Sequence, residues 1–207
     1  MSRFRSIAVF CGSSDAVNPA YKSAAHSLGV LLGEEGIEVV YGGGKVGLMG
    51  ALADGALAVG GSVIGVIPHK LMNLELGHRG CTELITTDGM HVRKKMMSDR
   101  AEAFIAMPGG YGTMEELFEA VTWTQLNYQD KPVGLLNIRG YFDPMLAWLD
   151  HAVEEGFVGP QHRNLMVSHT DPAALLAAMA EVRFPSLIDL LASRNPSLAT
   201  ETCIDSE

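Results

Sequence analysis

The sequence predicts an α/β fold, a Rossmann-like doubly wound parallel sheet with helices on both faces. Short apolar segments alternate with segments of helical spacing along most of the chain, which is typical of parallel strands joined by crossover helices. A glycine-rich turn separates one such strand from its helix at residues 104–121. The 207 residues suffice for one well-packed domain and are too few for two. We therefore expect a single nucleotide-binding domain over residues 1–184 and a partly disordered tail over residues 185–207.

The predicted elements follow in order along the chain. Mostly apolar runs predict strands at residues 6–10, 37–41, 62–67, 104–107 and 133–136, with a short strand near residues 83–86 and a short extended segment at residues 166–169. Intervening stretches predict the helices, at residues 19–35, 48–59, 91–100, 143–155 and 172–182, with the central helix beginning at about Thr113. Residues 68–80 are expected to form a loop. Parallel strands with right-handed crossovers bind ligands outside their carboxyl ends.

The central unit predicts a phosphate-binding turn. Residues 104–107 are apolar and end at Pro108, as expected for a strand buried on both faces. Glycines in the turn permit close backbone approach, and the helix after it directs free amides and its positive dipole end out of the turn. The candidate binding residues are consecutive: Gly109, Gly110, Tyr111, Gly112, Thr113, Met114, Glu115 and Glu116. Alternatively, Thr113 and Glu116 form a capping box at a plain tight turn, but three glycines and a proline within five residues exceed what such a turn needs.

A second glycine-rich segment, residues 42–47, contains the spacing G-x-G-x-x-G. It lacks the acidic residue that a dinucleotide site requires after the next strand, and Val46 occupies the Ser/Thr position of a Walker A loop. Two interpretations stay equally open for Gly43 and Gly44, namely helix-on-strand packing and direct contact with a phosphate or ribose. Ser14, after the first strand, is predicted either to contact the nucleotide or to belong to a helix-capping loop.

Three consecutive cations precede the central strand, at Arg93, Lys94 and Lys95. Such a run usually forms a solvated helix face. In a chain of net charge −9, however, a basic cluster near a phosphate turn would supply the neutralising charge that a phosphorylated ligand needs. Arg93 could bind an oxyanion bidentately, and Lys94 would act as a point charge.

Composition excludes several classes of protein. The net charge of −9 opposes non-specific binding to nucleic acid or to an anionic membrane, and no apolar run approaches the ~20 residues of a membrane-spanning helix. Three widely spaced cysteines and the lack of an apolar signal segment predict a cytoplasmic protein. The seven histidines show no paired ligand spacing, so we expect no metal and no cofactor.

Several co-ordered motifs resemble the LONELY GUY family, the cytokinin riboside 5'-monophosphate phosphoribohydrolases. The match to its PGGxGTxxE signature runs from Pro108 to Glu116, and further matching segments are residues 42–50, 90–94 and 131–136. The resemblance covers about residues 7–182. It implies a Rossmann-like homodimer that hydrolyses the N-glycosidic bond of N6-substituted adenosine 5'-monophosphates, releasing free base and ribose 5-phosphate.

The resemblance also implies roles for individual residues. Arg93 matches a catalytic arginine, Lys94 its substrate-binding neighbour, and Glu75 and Thr122 match substrate-contacting positions. Cleavage of a glycosidic bond develops oxocarbenium character that a carboxylate can stabilise, and we predict Glu116 for that role while Glu115 stays the open alternative. A nucleotide or molybdenum-cofactor carrier without hydrolase activity is the alternative function, and a broader AMP nucleosidase is a third. A lysine decarboxylase activity is not expected, because no Schiff-base lysine stands out.

Overall fold

The fold is a seven-stranded sheet in the order β4-β3-β2-β1-β5-β6-β7 with every strand parallel to its neighbours. The computed structural model describes residues 3–72, 74 and 77–184. The strands are β1 (Ser6–Phe10), β2 (Glu38–Tyr41), β3 (Val63–Pro68), β4 (Glu83–Thr87), β5 (Ala103–Ala106), β6 (Val133–Leu136) and β7 (Met166–His169). The helices are α1 (Pro19–Glu34), α2 (Gly47–Ala58), α3 (His69–Met72), α4 (Met90–Arg100), α5 (Tyr111–Gln125), α6 (Asp143–Glu154), α7 (Pro160–Arg163) and α8 (Pro172–Ala180).

Two apolar cores cover the two faces of the sheet, because side chains alternate along each strand. In β1, Ile7 and Val9 point into a core with α1, α2 and α8, whereas Ala8 and Phe10 point into a core with α4, α5 and α6. All five β1 residues are buried, which is why this strand reads as a continuous apolar run. The predicted doubly wound α/β fold is confirmed.

The chain reverses direction across the sheet between β1 and β5. After β1 it builds β2, β3 and β4 on one side, then returns to place β5, β6 and β7 on the other. Phe10 pairs with Ala106, so β1 and β5 end at the same level and the loops that follow them begin side by side. Ligands bind doubly wound sheets at this switch point.

Three local predictions need correction. The central helix begins at Tyr111 rather than Thr113, and its N-cap is Gly110 without a side-chain cap, so the capping box of Thr113 and Glu116 is wrong. Residues 68–80 are not all loop, since β3 extends to Pro68 and α3 follows it.

The predicted tail and its boundary at residue 185 lie outside the described residues, so the domain division stays a prediction. Within the described ranges, no helix combines the length and apolar character needed to cross a membrane.

Candidate active site

A cleft of about 750 Å³, including its solvent-open part, lies at the carboxyl ends of the central strands. It is formed by the loops after β1 and β2 and by the N-terminal turns of α2, α4 and α5. Its lining residues are Cys11, Gly12, Ser13, Gly42, Met49, Met90, Arg93, Gly110, Tyr111, Gly112, Thr113, Glu115 and Glu116. The structure therefore brings the predicted glycine turn and the predicted arginine to one cleft.

The first turn of α5 leaves backbone amides free towards this cleft. Gly110 caps the helix without a side-chain hydrogen bond, and its carbonyl accepts from the Met114 amide at 3.1 Å. Among the described residues, no hydrogen-bond acceptor faces the amides of Tyr111, Gly112 or Thr113. Free amides and the positive end of the helix dipole together favour a bound anion.

The first turn of α2 differs, because its amides are already used. The Gly12 carbonyl accepts from Leu48 at 2.9 Å and from Met49 at 3.4 Å, and Asp15 Oδ1 accepts from the Gly47 amide at 3.1 Å. The Lys22 ammonium and this amide hold the pKa of Asp15 below its usual value. The second glycine segment therefore joins α2 to the loop after β1, and its helix has few free donors left for a phosphate.

Gly43 and Gly44 lie beside the cleft rather than in its lining. Gly43 adopts a left-handed conformation (φ 77°) against Ile67 and Leu84, and Gly44 pairs with Gly77 in an isolated bridge. Both glycines thus pack against neighbouring strands and a loop, whereas the predicted packing was of a helix on a strand. Their contact with substrate stays a prediction.

Arg93 is a buried cation held by backbone carbonyls. Its side chain leaves the first turn of α4, and Nε donates to Val66 O at 3.0 Å while Nη2 donates to Gly42 O at 3.2 Å. Only 7% of the residue is exposed. A Cβ atom at Gly42 would overlap with Nη2, so the close approach requires glycine at this position. No described carboxylate forms a salt bridge with the guanidinium, whose charge is thus available to a ligand.

Lys94 has a different environment, although it is the next residue. Its Nζ donates to Glu119 Oε2 at 2.8 Å and also to Glu115 Oε1. Burial alone would lower the pKa of Lys94, but the hydrogen bonds to Glu115 and Glu119 outweigh it and raise the pKa. Successive helical residues point about 100° apart, which explains why Arg93 lines the cleft and Lys94 does not.

Glu116 has a half-buried carboxyl group that makes no hydrogen bond within the described part of the chain. Burial, which disfavours the charged form, raises its pKa to about 7 against the opposing effect of Arg93, and the neighbouring Glu115 adds to the rise. Burial and the nearby Glu116 also raise the pKa of the Cys11 thiol in the same cleft. Glu115 in contrast is mostly exposed and paired with Lys94. The two adjacent glutamates are therefore chemically distinct.

The other predicted site residues are spread around this centre. Gly109 and Met114 pack behind the turn, and Ser14 accepts a hydrogen bond from the Ala16 amide at 3.2 Å. Thr122 is exposed on α5, six residues beyond Glu116 and outside the cleft lining. Glu75 lies outside the described residues. The substrate contacts of Ser14, Glu75 and Thr122 stay predictions.

Sequence reasoning missed several residues of the cleft wall. Ser13, Met49 and Met90 line it but were not among the predicted site residues. Met49 and Met90 lie in segments that match the family and Ser13 precedes the predicted Ser14, but which side chains of these segments reach the cleft is decided only when the elements are assembled. The described residues include no group of three or more histidine, cysteine or acidic side chains placed to hold a metal ion.

Known proteins match this chain over most of its length. A family model described as "possible lysine decarboxylase" matches residues 49–179. A probable cytokinin riboside 5'-monophosphate phosphoribohydrolase of Oryza sativa subsp. japonica is 48% identical over 180 residues, which are 87% of this chain and 73% of the relative. A cytokinin riboside 5'-monophosphate phosphoribohydrolase of Arabidopsis thaliana is 49% identical over 167 residues, 81% of this chain and 78% of the relative.

A solved structure shares the fold at lower sequence identity. The molybdenum cofactor carrier protein of Chlamydomonas reinhardtii superposes with a TM-score of 0.66 at 23% identity, covering 92% of this chain and 99% of that one. At that identity the likeness concerns the fold alone. The family model and the two plant relatives confirm the resemblance found in the sequence, and the chain belongs to the LONELY GUY family of cytokinin riboside 5'-monophosphate phosphoribohydrolases.

Proposed function

We propose that this protein hydrolyses the N-glycosidic bond of N6-substituted adenosine 5'-monophosphates and releases the free base and ribose 5-phosphate. One observation carries the proposal. The unpaired Glu116 carboxyl, with its pKa raised to about 7, shares a cleft with the buried Arg93 guanidinium and with the free amides of α5. An anion site, a cation and a poised carboxyl are the groups that cleavage of a nucleoside monophosphate requires. The names of the plant relatives support the same reaction.

The 5'-phosphate binds at the first turn of α5 in this proposal. The free amides there would be left without partners beside a nucleoside, so the site favours nucleotides over ribosides. Because Lys94 is already paired with Glu115 and Glu119, the neutralising charge that faces the cleft comes from Arg93. The substrate is thus held at one end by its phosphate, with the ribose directed towards Glu116.

Glu116 acts on the ribose in its ionised form. As the bond from C1' to the purine nitrogen breaks, its electron pair leaves with the base and positive charge develops on the sugar ring. An adjacent carboxylate stabilises that charge or accepts a proton from the water that adds to C1'. Arg93 either orients the substrate or stabilises the departing purine, and its position in the cleft suits both roles.

A decarboxylase activity, as in the description of the family model, receives no support from the cleft, because its described lining contains no lysine. A lysine that forms a Schiff base must be deprotonated to act as a nucleophile. Lys94, the lysine next to Arg93, is held between two carboxylates that raise its pKa and keep it protonated. The described residues in and beside the cleft therefore give no support to Schiff-base chemistry.

The test is base release from AMP and from N6-isopentenyl-AMP, measured by chromatography. We expect wild-type protein to release base, and Glu116→Gln to lower kcat by at least about 100-fold, the lower range for loss of a general base. Glu34→Gln removes a carboxylate from the exposed surface of α1 and is the control. It should release base at the wild-type rate. The two nucleotides rank AMP against its N6-prenylated form, which sequence alone cannot do.

Adenosine gives a further check on the phosphate site, because it lacks the 5'-phosphate that we propose to bind at the first turn of α5. Comparable turnover of adenosine and AMP would contradict that assignment. Nucleotide binding without any base release would instead favour a carrier, and then Glu116→Gln should leave nucleotide affinity intact or improved.

We also propose a homodimer located in the cytoplasm. Large apolar side chains are exposed on helices that cover the same face of the sheet, including Val92 on α4 and Trp148 on α6, and burial in a second copy would remove them from water. Light scattering of the purified chain measures its mass, and cell fractionation tests its location.

A further inference from the structure

The loop between β6 and α6 contains two consecutive residues with left-handed backbone. Arg139 has φ 57° and Gly140 has φ 68°, and the loop leaves the sheet at the same edge as the candidate active site. Left-handed backbone is unfavourable for a residue with a Cβ atom, so surrounding contacts must hold Arg139 in this conformation. Conformations of this kind are concentrated at functional sites, which prompts the question of what the loop places.

Asn137 provides the contacts that hold the loop. Its Oδ1 accepts from the Phe142 amide at 2.9 Å, and its Nδ2 donates to Asp143 Oδ1 at 2.7 Å. The Phe142 side chain is fully buried in the core beneath. The two ends of the loop are thereby fixed to each other and to the core, and Tyr141 has a defined position between them.

Tyr141 reaches across to the glycine turn that precedes α5. Its phenol hydroxyl donates a hydrogen bond to the Gly109 carbonyl at 2.5 Å. Its ring packs edge-on against Tyr21 at 6.0 Å and against Phe142 at 5.2 Å between ring centroids. The ring contacts restrict the phenol to one orientation, so the hydroxyl lies beside the turn without further ordering.

The Gly109 carbonyl belongs to the peptide that also contains the Gly110 amide. In a trans peptide the C=O and N–H bonds point in opposite directions, so fixing the carbonyl towards Tyr141 directs the Gly110 N–H to the other side. Gly110 lines the cleft, and the Gly12 amide fixes the preceding peptide through Pro108 O at 3.1 Å. A Cβ atom at Gly109 would overlap with Thr113, which shows how closely the turn is packed.

We propose that Tyr141 is a positioning residue for the phosphate-binding turn, holding the Gly109–Gly110 peptide so that its amide faces the 5'-phosphate of the substrate. The inference deepens the proposed function and rests on its placement of the phosphate at α5. Without the hydroxyl, this peptide loses the hydrogen bond that fixes its orientation, and each binding event must order it again. The loss should appear in the binding of the phosphate group and leave bond cleavage in the bound substrate nearly unchanged.

The experiment compares Tyr141→Phe with Tyr21→Phe. Both remove one hydroxyl from the same aromatic cluster, but only the Tyr141 hydroxyl has a hydrogen bond among the described residues. Calorimetry measures the affinity for ribose 5-phosphate and adenosine, and for AMP with Glu116→Gln added to each variant so that AMP is not turned over; steady-state kinetics without that change gives kcat and KM for AMP. We expect Tyr141→Phe to lower the affinity for AMP and for ribose 5-phosphate about fivefold, which is the effect of losing one ordinary hydrogen bond.

The remaining readouts separate positioning from general stability. In Tyr141→Phe, KM for AMP should rise about fivefold while kcat stays within about twofold and adenosine affinity is unchanged. If Tyr141→Phe loses affinity equally for adenosine and ribose 5-phosphate, or if its melting temperature falls while its affinity for the phosphate compounds is unchanged, the role of Tyr141 is merely structural. If wild type binds AMP without releasing base, the proposed function fails, and the affinity ratios still decide the role of Tyr141. Failure of wild type to bind either phosphate compound would overturn both.

Discussion

Replacing Glu116 by glutamine should stabilise the protein above neutral pH while it removes activity. Burial raises the pKa of this carboxyl from 4.5 to about 7. A group with a raised pKa binds its proton more tightly in the folded state, so its contribution to stability is complete below about pH 4.5 and is lost as pH rises through about 7. Glutamine keeps the shape of the neutral acid and has no charge to bury.

The size of the effect follows from the rise in pKa. Each tenfold change in proton affinity corresponds to about 1.4 kcal/mol. The rise in the pKa of Glu116 therefore limits the loss of folding stability at high pH to about 3 kcal/mol. Glu116 is only half-buried, and water screens part of the interaction. We therefore expect the free energy of unfolding of Glu116→Gln, relative to wild type, to increase by about 1 to 2 kcal/mol from about pH 5 to about pH 8.5. For a chain of this size, that is about 2 to 8 °C in melting temperature.

Chemical denaturation at the two pH values is the assay. Wild type, Glu116→Gln and Glu34→Gln should be measured at one protein concentration, because any dimerisation makes the apparent stability concentration-dependent. Glu34 is exposed on α1, so its replacement controls for the loss of one negative charge. A stability gap between Glu116→Gln and wild type that does not widen with pH, or widens equally for Glu34→Gln, would refute the argument that the half-buried charge of Glu116 destabilises the folded state.

Two further predictions concern activity. If the ionised carboxylate of Glu116 acts on the ribose, kcat/KM should rise with pH through about 7; a rate that falls over this range would instead assign Glu116 as a general acid. Gly42→Ala should displace the Arg93 guanidinium, since a Cβ atom there overlaps with Nη2, and we expect at least about a tenfold loss of kcat/KM with the fold retained on circular dichroism. Gly89→Ala is the matched control because a Cβ atom at that extended residue meets open space, and an equal loss in both variants would exclude the proposed displacement.

The sequence alone determined the fold class and the region of the site. Short apolar runs separated by helical segments have few solutions other than a parallel sheet covered on both faces, and the excess of glycine after residue 107 has no structural need in a plain turn. These signals are local, so they can be found without knowing what packs against what. The same local reasoning placed the start of α5 two residues late, because glycine at the N-cap leaves no side-chain signal.

The assignment of individual side chains needed the tertiary structure. By residue type and spacing Glu115 and Glu116 are alike, and only the family signature singles out Glu116. In the structure, contact with Lys94 from another helix makes Glu115 a paired surface acid and leaves Glu116 unpaired with a raised pKa. Arg93 is likewise distinguished from Lys94 by its hydrogen bonds to backbone carbonyls at the ends of β2 and β3. Burial and pairing depend on residues distant in the chain, so no pattern within the segments could predict them.

Tyr141 shows the same dependence most clearly. It follows a different strand and is 32 residues from the carbonyl that it contacts. Nothing in its own segment predicts that contact, because the parallel order of β5 and β6 alone brings their two loops together. Chain segments thus determined which elements form, and the adjacency of their ends in the sheet decided which residues can act together.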